Sequence, residues 1–372
     1  MIPDPVELTA QLIRMDTSNP PGNEAPAVEL LAPLLAQAGF SIQTPEFAPG
    51  RPSLVARLAF GPEPPLLLSG HLDTVPAGDG PWEHGPLSGE VAGGMIHGRG
   101  ASDMKGGVAA LVTAALRLAA ERPARAGLVA VLTAGEETGC QGAEHLARRP
   151  GLLGGAGAIL VAEPTANRLV LGHKGSLWLK AVCTGRAAHG SMPELGDNAI
   201  YKAAAAVRRL AAHEPAAPPH PVLGPATLNV GTISGGRAAN MVPDRAEFTV
   251  DLRLPPGLDP AGAQAEIAAL LGPAVTLERL AAAGALWTEP HDPWAASVLE
   301  LLERRRGRRP EVAGVSYFTD GAALQRGLGG APALLLGPGE PGQAHVSGEC
   351  CPVAGIELAV EDYLAIARAW CA

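Results

Sequence analysis

The chain has 372 residues, 47% of them hydrophobic, and a formal net charge of −9. This length favours two domains, and the hydrophobic fraction indicates a globular protein. The acidic balance offers no basic face for nucleic acid, and no apolar run reaches the roughly 18 residues of a membrane span. The N-terminal stretch lacks a signal-peptide pattern, and the five cysteines include no C-x-x-C pair, so we expect reduced thiols and a cytoplasmic protein.

Short apolar runs alternate with alanine-rich stretches of helical length, which predicts an α/β sheet covered by helices on both faces. The four candidate strands are residues 65–72, 127–134, 157–163 and 331–337. Ligands in open α/β sheets bind beyond the carboxyl ends of the strands, so we expect the polar side chains that follow these runs to converge on one site. They are His71, Asp73, Glu136, Glu137, Glu163 and, slightly later, His345.

Between Ser176 and Leu280 the pattern changes to strand, helix, two strands, helix and strand. This βαββαβ order predicts a small ferredoxin-like domain inserted into the larger one. The resulting domain limits are 1–175 and 283–372 for the larger domain and 176–282 for the insert.

Two segments combine imidazole and carboxylate groups at predicted strand ends. In SGHLDTVP, His71 and Asp73 share one face of an extended segment. Imidazole suits zinc, and a metal-bound histidine needs an acceptor for its other ring nitrogen. Taken alone, this pair is also compatible with an ordinary polar strand end. Glu136 and Glu137 in TAGEETG, like Glu163 in VAEPT, close apolar strands, where a buried carboxylate is costly unless it is paired or bound to metal.

Asp103 lies on the glycine-flanked turn GRGASDMKGG, and His345 lies in the loop GPGEPGQAHVSGE. Such a turn can bind phosphate, so a nucleotide site is an alternative, although neither phosphate-loop pattern is complete. A helix N-cap is the other interpretation of Asp103. With Asp73 and one glutamate set aside, five candidate ligands remain, which favours two metal ions that share a carboxylate. Mixed imidazole and carboxylate ligands suit zinc, manganese or cobalt.

Six motifs occur in one order along the chain: SGHLDTVP, GRGASDMKGG, TAGEETG, AEPT, AAHGSMPELGDNAI and GQAHVSGE. Together they resemble the acetylornithine deacetylase, succinyl-diaminopimelate desuccinylase, aminoacylase and carboxypeptidase G family of dinuclear metallohydrolases. The resemblance runs from about Asp16 to the C-terminus. It implies a mixed-sheet, dizinc-aminopeptidase-like catalytic domain with an inserted lid domain that dimerises, and the βαββαβ insert fits that lid.

The resemblance also implies roles for individual residues at the metal centre. His71 and Glu163 would hold one ion, Glu137 and His345 the other, Asp103 would bridge them, Asp73 would orient His71, and Glu136 would be the general base. The chemistry agrees with this division, because a metal-bridged water needs a nearby unligated carboxylate to take its proton.

Three residues of the insert would contact the substrate by the same resemblance. His189 would reach the active site of the partner subunit and stabilise the oxyanion, and Asn240 and Arg253 would hold the substrate. A guanidinium suits bidentate binding of a carboxylate. The alternatives are a local hydrogen bond for His189 and a surface salt bridge for Arg253.

These observations predict a homodimeric hydrolase with two divalent metal ions, zinc with cobalt or manganese as alternatives. Its expected reaction is cleavage of the amide bond of an N-acyl amino acid, as in a deacetylase or desuccinylase. A metallo-carboxypeptidase or dipeptidase acting on small peptides is the alternative within enzymes. A non-catalytic metal-binding or peptide-binding homologue and a nucleotide-binding protein are the alternatives from other classes; the complete set of ligands and base argues against the non-catalytic homologue.

Overall fold

The computed structural model describes residues 2–215 and 218–372. The chain divides into two compact units. The first comprises Met1–Gly172, Leu286–Gly314 and Thr319–Ala372, and the second comprises His173–Ala285 and Val315–Phe318.

The first unit begins with four helices and nine strands. The helices are α1 (Pro5–Ile13), α2 (Ala25–Gln37), α3 (Gly106–Glu121) and α4 (Gln141–Ala147), and the strands are β1 (Ser41–Gln43), β2 (Glu46–Ala48), β3 (Arg51–Pro52), β4 (Leu54–Leu58), β5 (Glu63–His71), β6 (Glu90–Ala92), β7 (Met95–His97), β8 (Ala126–Thr133) and β9 (Ala158–Val161).

The next strand, β10 (Gly172–His173), leads into the second unit. That unit contains β11 (Gly175–Thr184), β12 (Ala188–His189), α5 (Ala199–Ala211), β13 (Thr227–Gly235), β14 (Met241–Val242), β15 (Arg245–Leu254), α6 (Pro260–Leu271) and β16 (Val275–Ala283). The chain then continues through β17 (Leu286–Trp287), α7 (Pro293–Arg306), α8 (Gly321–Gly327), β18 (Ala333–Leu335), β19 (Cys350–Pro352) and α9 (Val353–Cys371).

The first unit is built on a six-stranded mixed sheet in the order β1-β4-β8-β5-β9-β18. Its strands β8, β5, β9 and β18 run parallel, and β4 pairs antiparallel with β8. These four parallel strands are the four apolar runs expected from the sequence, so the prediction of an α/β sheet is confirmed. Every residue of β8 is buried, as expected for a strand inside a covered parallel sheet. Helices α3 and α9 pack against each other and against β5 and β8.

The second unit contains a four-stranded antiparallel sheet in the order β13-β15-β11-β16, with helices α5 and α6. The main elements follow one another as βαββαβ. Burial alternates strictly along β15, because one face of this strand packs on the helices. Asn198 and Asp259 cap α5 and α6 by accepting main-chain hydrogen bonds, so each helix begins where the sequence offers a capping side chain.

Residues Val315–Phe318 join the second unit, although the sequence segmentation places them in 283–372. A parallel bridge between His173 and Val315 and the edge-on contact of Phe318 with Trp178 hold this segment there. Such pairings bring together residues far apart in sequence, so they leave no local signal. The lid role of this unit stays a prediction.

Within the described residues, none of the helices combines the length and the apolar character needed to cross a membrane.

Candidate metal centre

His71 is the last residue of β5, at the carboxyl end of the central sheet. It is almost fully buried, its Nδ1 donates to the main-chain oxygen of Asp73 at 2.9 Å, and its Nε2 lies 3.0 Å from Oδ1 of Asp103. Because a carbonyl can only accept, Nδ1 carries a proton and Nε2 is the nitrogen available to a cation. Burial lowers the pKa of His71, but Asp103, Glu163 and Glu136 outweigh burial and hold it well above its usual value.

The carboxylate of Asp73 fixes the turn that follows β8. It is fully buried and accepts hydrogen bonds from the main-chain nitrogens of Glu136 and Glu137 at 3.0 and 3.2 Å, and from Nδ2 of Asn19 at 2.8 Å. Its Oδ1 is 3.7 Å from Nδ1 of His71. The contact of hydrogen-bond length with His71 therefore comes from the Asp73 main chain, while the carboxylate orients the backbone of the two glutamates.

Asp103 lies between the two histidines of the predicted centre. Its Oδ1 is 3.0 Å from Nε2 of His71, and its Oδ2 is 3.4 Å from Nε2 of His345. Burial raises the pKa of Asp103, but hydrogen bonds from His345 and His71 outweigh burial and hold it well below its usual value. Each oxygen of this carboxylate thus faces a different histidine.

Glu137 and His345 form the second part of the cluster. Oε2 of Glu137 lies 3.0 Å from Nε2 of His345, and its Oε1 accepts from the main-chain nitrogen of Val75 at 3.2 Å. His345 has a φ of 65°, which is uncommon for a residue other than glycine, and its side chain is 53% exposed. Hydrogen bonds to Asp103 and Glu137 raise the pKa of His345 to about 10, so a cation that binds here must displace a proton.

Glu163 and Glu136 are both buried. Burial raises the pKa of each carboxyl well above its usual value; His71 opposes the shift, and neighbouring acidic groups add to it. Glu163 follows β9 by two residues and joins His71 and Asp103 in one group whose ligand atoms all lie within 4.8 Å of one another. Asp103, Glu137 and His345 form the other such group, and within the part of the chain that the structure describes, Glu136 belongs to neither.

The chemistry of these side chains fits divalent cations. Two imidazoles and three carboxylates are typical ligands for zinc, cobalt or manganese. Burying carboxylates together is unfavourable unless positive charge compensates them. Burial is the largest cause that raises the pKa of Glu137 and of Glu163, and the negative charge of Asp103 adds to the rise. Two cations that share Asp103 would supply this compensation.

The three predicted substrate residues lie in the second unit. His189 ends β12 opposite Met241 of β14, its Nδ1 is 2.7 Å from Oγ of Ser191, and the nitrogen of Gly190 donates to the main-chain oxygen of Asn240 at 2.8 Å. His189 and Asn240 are therefore neighbours, and both are exposed.

Arg253 lies apart from them, near the end of β15. Its Nε is 3.0 Å from Oδ1 of Asp251, and its guanidinium lies 6.0 Å from the centre of the Trp178 ring. The surface salt bridge considered as the alternative for Arg253 is thus present.

Sequence reasoning did not identify three polar groups around the cluster. Asn19 bonds to Asp73 and to Oγ1 of Thr138 at 2.9 Å, and the DTSNP segment near the N-terminus was the available signal. Asp320 is buried against Thr133, and burial raises its pKa to about 6. The buried Glu349 has several main-chain donors, and only its position four residues after His345 could have pointed to it.

A mixed α/β sheet with candidate imidazole and carboxylate ligands at the carboxyl ends of its strands is typical of the class of metallohydrolases. Residues 67–369 match the model of peptidase family M20/M25/M40. The chain belongs to this family and is an enzyme that cleaves amide bonds with the help of metal ions.

Related proteins agree with this assignment. Succinyl-diaminopimelate desuccinylase from Methylobacterium sp. (strain 4-46) is 35% identical over 349 residues, which cover 86% of this chain and 85% of that protein. The fold is shared with an M20 family metallo-carboxypeptidase from Sulfolobus solfataricus, with a TM-score of 0.83, 18% identity and coverage of 98% and 99%. It is also shared with a tripeptidase from Staphylococcus aureus, with a TM-score of 0.76, 22% identity and coverage of 98% and 97%.

Proposed function

We propose that this enzyme hydrolyses the amide bond of an N-acyl amino acid at a two-metal centre, with Glu136 as the general base. The observation that carries the proposal is the division of the cluster into two candidate ligand groups that share Asp103. Among the described residues, Glu136 belongs to neither group, yet the charges of His71, Glu163 and Glu137 act on its carboxyl. The desuccinylase relative, which covers most of the chain, supports the acyl amino acid as substrate.

The two candidate ligand groups support a division of roles among these residues. His71 and Glu163 would hold one ion, Glu137 and His345 the other, and Asp103 both. When bound, the ions would polarise the scissile carbonyl and lower the pKa of a coordinated water. Glu136 accepts the proton of the attacking water as the new carbon–oxygen bond forms, and it returns that proton to the nitrogen as the carbon–nitrogen bond breaks. Burial raises the pKa of Glu136 well above its usual value, which makes this carboxylate a stronger proton acceptor than an exposed one.

One experiment tests the class of substrate. A panel of N-acetyl amino acids, N-succinyl amino acids, dipeptides and tripeptides at fixed metal loading separates a deacylase from a carboxypeptidase or dipeptidase. Hydrolysis of small peptides is the second candidate function, and the two structural neighbours, a tripeptidase and a metallo-carboxypeptidase, support it. Preferential turnover of peptides would contradict the acyl amino acid assignment.

The proposed metal is zinc, with cobalt or manganese as alternatives. Fewer than two ions bound per chain after saturation would contradict the two-metal centre.

We propose that His189, Asn240 and Arg253 bind the substrate, with Arg253 binding its carboxylate. Both the exposure of His189 and Asn240 and the planar guanidinium of Arg253 support these roles. Substrates of the same panel with the carboxylate converted to an amide should then bind more weakly, and equal binding would argue against the role of Arg253.

We propose further that the enzyme is a homodimer joined through the second unit. Strand β13 is an edge of its sheet and carries Ile233 with 55% of its surface exposed, and Tyr201 of α5 is 74% exposed. Unpaired strand edges and exposed apolar side chains are features of association surfaces.

We also propose a cytoplasmic location, which is supported by the five cysteines, all of them free thiols.

Light scattering tests the dimer. Replacing Tyr201 and Ile233 together by glutamate should give a monomer, because two charges would be buried at the interface. The matched control is Leu280→Glu, which changes a 50% exposed residue on β16, the opposite edge of the same sheet, and should leave the dimer intact. A wild-type monomer, or a dimer of the double variant, would contradict the proposal.

A further inference from the structure

The glycine-rich turn GRGASDMKGG encloses an internal carboxylate. Oε1 of Glu349 accepts from the main-chain nitrogens of Ser102 and Asp103 at 2.8 and 2.9 Å, and its Oε2 accepts from the nitrogen of Gly100 at 2.9 Å. These are the donors that a bound phosphate would need. Because Glu349 is fully buried and already occupies them, the turn binds a side chain of its own protein rather than a nucleotide.

The guanidinium of Arg99 completes the surroundings of Glu349. Its Nη1 donates to Oε2 of Glu349 at 2.7 Å and to the main-chain oxygen of Val346 at 3.1 Å, and its Nη2 donates to the main-chain oxygen of Pro76 at 3.3 Å. The guanidinium also lies 5.3 Å from the centre of the Trp82 ring. Arg99 is 3% exposed, so this ion pair is sealed from water.

These contacts reach the main chain at or near three candidate ligands. Glu349 binds the main chain of Asp103 itself, Val346 is adjacent to His345, and Pro76 lies five residues after His71. We propose that Arg99 and Glu349 form a positioning pair that holds His71, Asp103 and His345 at the spacing the two metal ions require. This inference rests on the proposed metal centre and adds two residues that, in the part of the chain that the structure describes, belong to neither candidate ligand group.

The arrangement requires a carboxylate at position 349. Four N–H donors converge on its two oxygens, so both oxygens must accept. In a glutamine, an NH₂ group would replace one of these oxygens and would face two N–H donors. Those buried donors would then have no acceptor. Burial raises the pKa of Glu349, and the hydrogen bonds from Asp103, Gly100 and Arg99 oppose that rise.

Cobalt titration and amide hydrogen exchange test the pair. Glu349→Gln should weaken cobalt binding about 10- to 100-fold, the usual effect of removing a group that orients metal ligands. It should also speed hydrogen exchange at Gly100, Ser102 and Asp103. Saturating cobalt should restore much of the lost activity, because the ligands themselves remain.

The matched control is Asp362→Asn, which disrupts another buried carboxylate of the first unit, bound by Arg305 and Arg306. This control should lower the unfolding temperature while keeping wild-type cobalt affinity. If Glu349→Gln does not fold, Arg99→Lys keeps the charge but lacks the fork that reaches Val346 and Pro76, and it should weaken cobalt binding too.

Three results are decisive, and they separate this inference from the proposed function. Wild-type cobalt affinity in Glu349→Gln, or in Arg99→Lys where the first variant fails to fold, would overturn the positioning role. A wild-type protein that binds fewer than two cobalt ions would overturn the metal centre instead, and unchanged exchange at the three amides would then overturn the positioning role independently.

Discussion

The two units hold their acidic side chains in different ways. In the first unit, Asp73 is fully buried and accepts three N–H groups. In the second, Asp251 has a side chain that is 35% exposed and accepts from Nε1 of Trp178 and from Arg253. A buried carboxylate surrounded by donors is fixed in place, whereas an exposed ion pair can exchange its partner for water or a ligand. The first unit is therefore organised before a substrate arrives, and the second presents groups that remain available.

The largest expected effect comes from separating the two adjacent glutamates of the first unit. Glu136→Gln should lower kcat by about 10³-fold, since the proposed general base is lost, while the variant should keep the metal content of the wild type. Glu137→Gln should instead lose one ion, because Glu137 shares a ligand group with Asp103 and His345. Metal analysis and kinetics on the same preparations check both. Loss of metal from Glu136→Gln with retention by Glu137→Gln would mean that the two roles are reversed.

Much of the first unit could be predicted because its signals are local. Each parallel strand is a continuous apolar run, and the polar residues at or shortly after the carboxyl ends of β5, β8 and β9 meet at one edge of the sheet because the strands run parallel. His71 and Glu163 lie close together because β5 and β9 are neighbours in the sheet, although the two residues are far apart along the chain.

Other features depend on contacts that the sequence does not encode locally. Glu349 meets Asp103 across 246 residues, and Asn19 meets Asp73 across 54. Neither pair leaves a periodic pattern, because each hydrogen bond needs only one side chain at one position. The alternation along β15 predicts its buried face, yet it gives no information on whether Arg253 bonds to Asp251 or remains free for a ligand.

The second unit also contains a polar side chain that is buried and fixed, so burial of such groups is not confined to the first unit. His173 is fully buried, its Nδ1 donates to the main-chain oxygen of Lys174 at 2.9 Å, and burial lowers its pKa to about 4 from the usual 6.5. Between these two pH values the unfolded chain binds a proton that the folded chain does not. The contribution of the neutral His173 to the free energy of unfolding is therefore fully present above pH 6.5. It is lost as the pH drops from 6.5 to about 4, and the total loss is about 3 kcal/mol.

Replacing His173 by glutamine should remove most of this acid-dependent loss. Urea denaturation between pH 7 and pH 4 would show the free energy of unfolding of the wild type falling faster than that of the variant. His291→Gln, a change at an exposed histidine, serves as the control and should alter the free energy of unfolding by less than about 0.5 kcal/mol. Parallel curves for His173→Gln and the wild type would contradict the assignment.

The matched pair Asp73→Asn and Asp251→Asn tests the comparison of the two units directly. In metal-free protein, Asp73→Asn should lower the free energy of unfolding by about 2 kcal/mol, because an amide NH₂ would face one of the buried donors from Asn19, Glu136 or Glu137. Asp251→Asn should cost less than about 1 kcal/mol, because water can replace the partner of an exposed ion pair. Urea denaturation at pH 7 measures both. Equal losses would mean that exposure in the second unit does not mark loosely held groups, and that Arg253 is held by Asp251 rather than available to a substrate carboxylate.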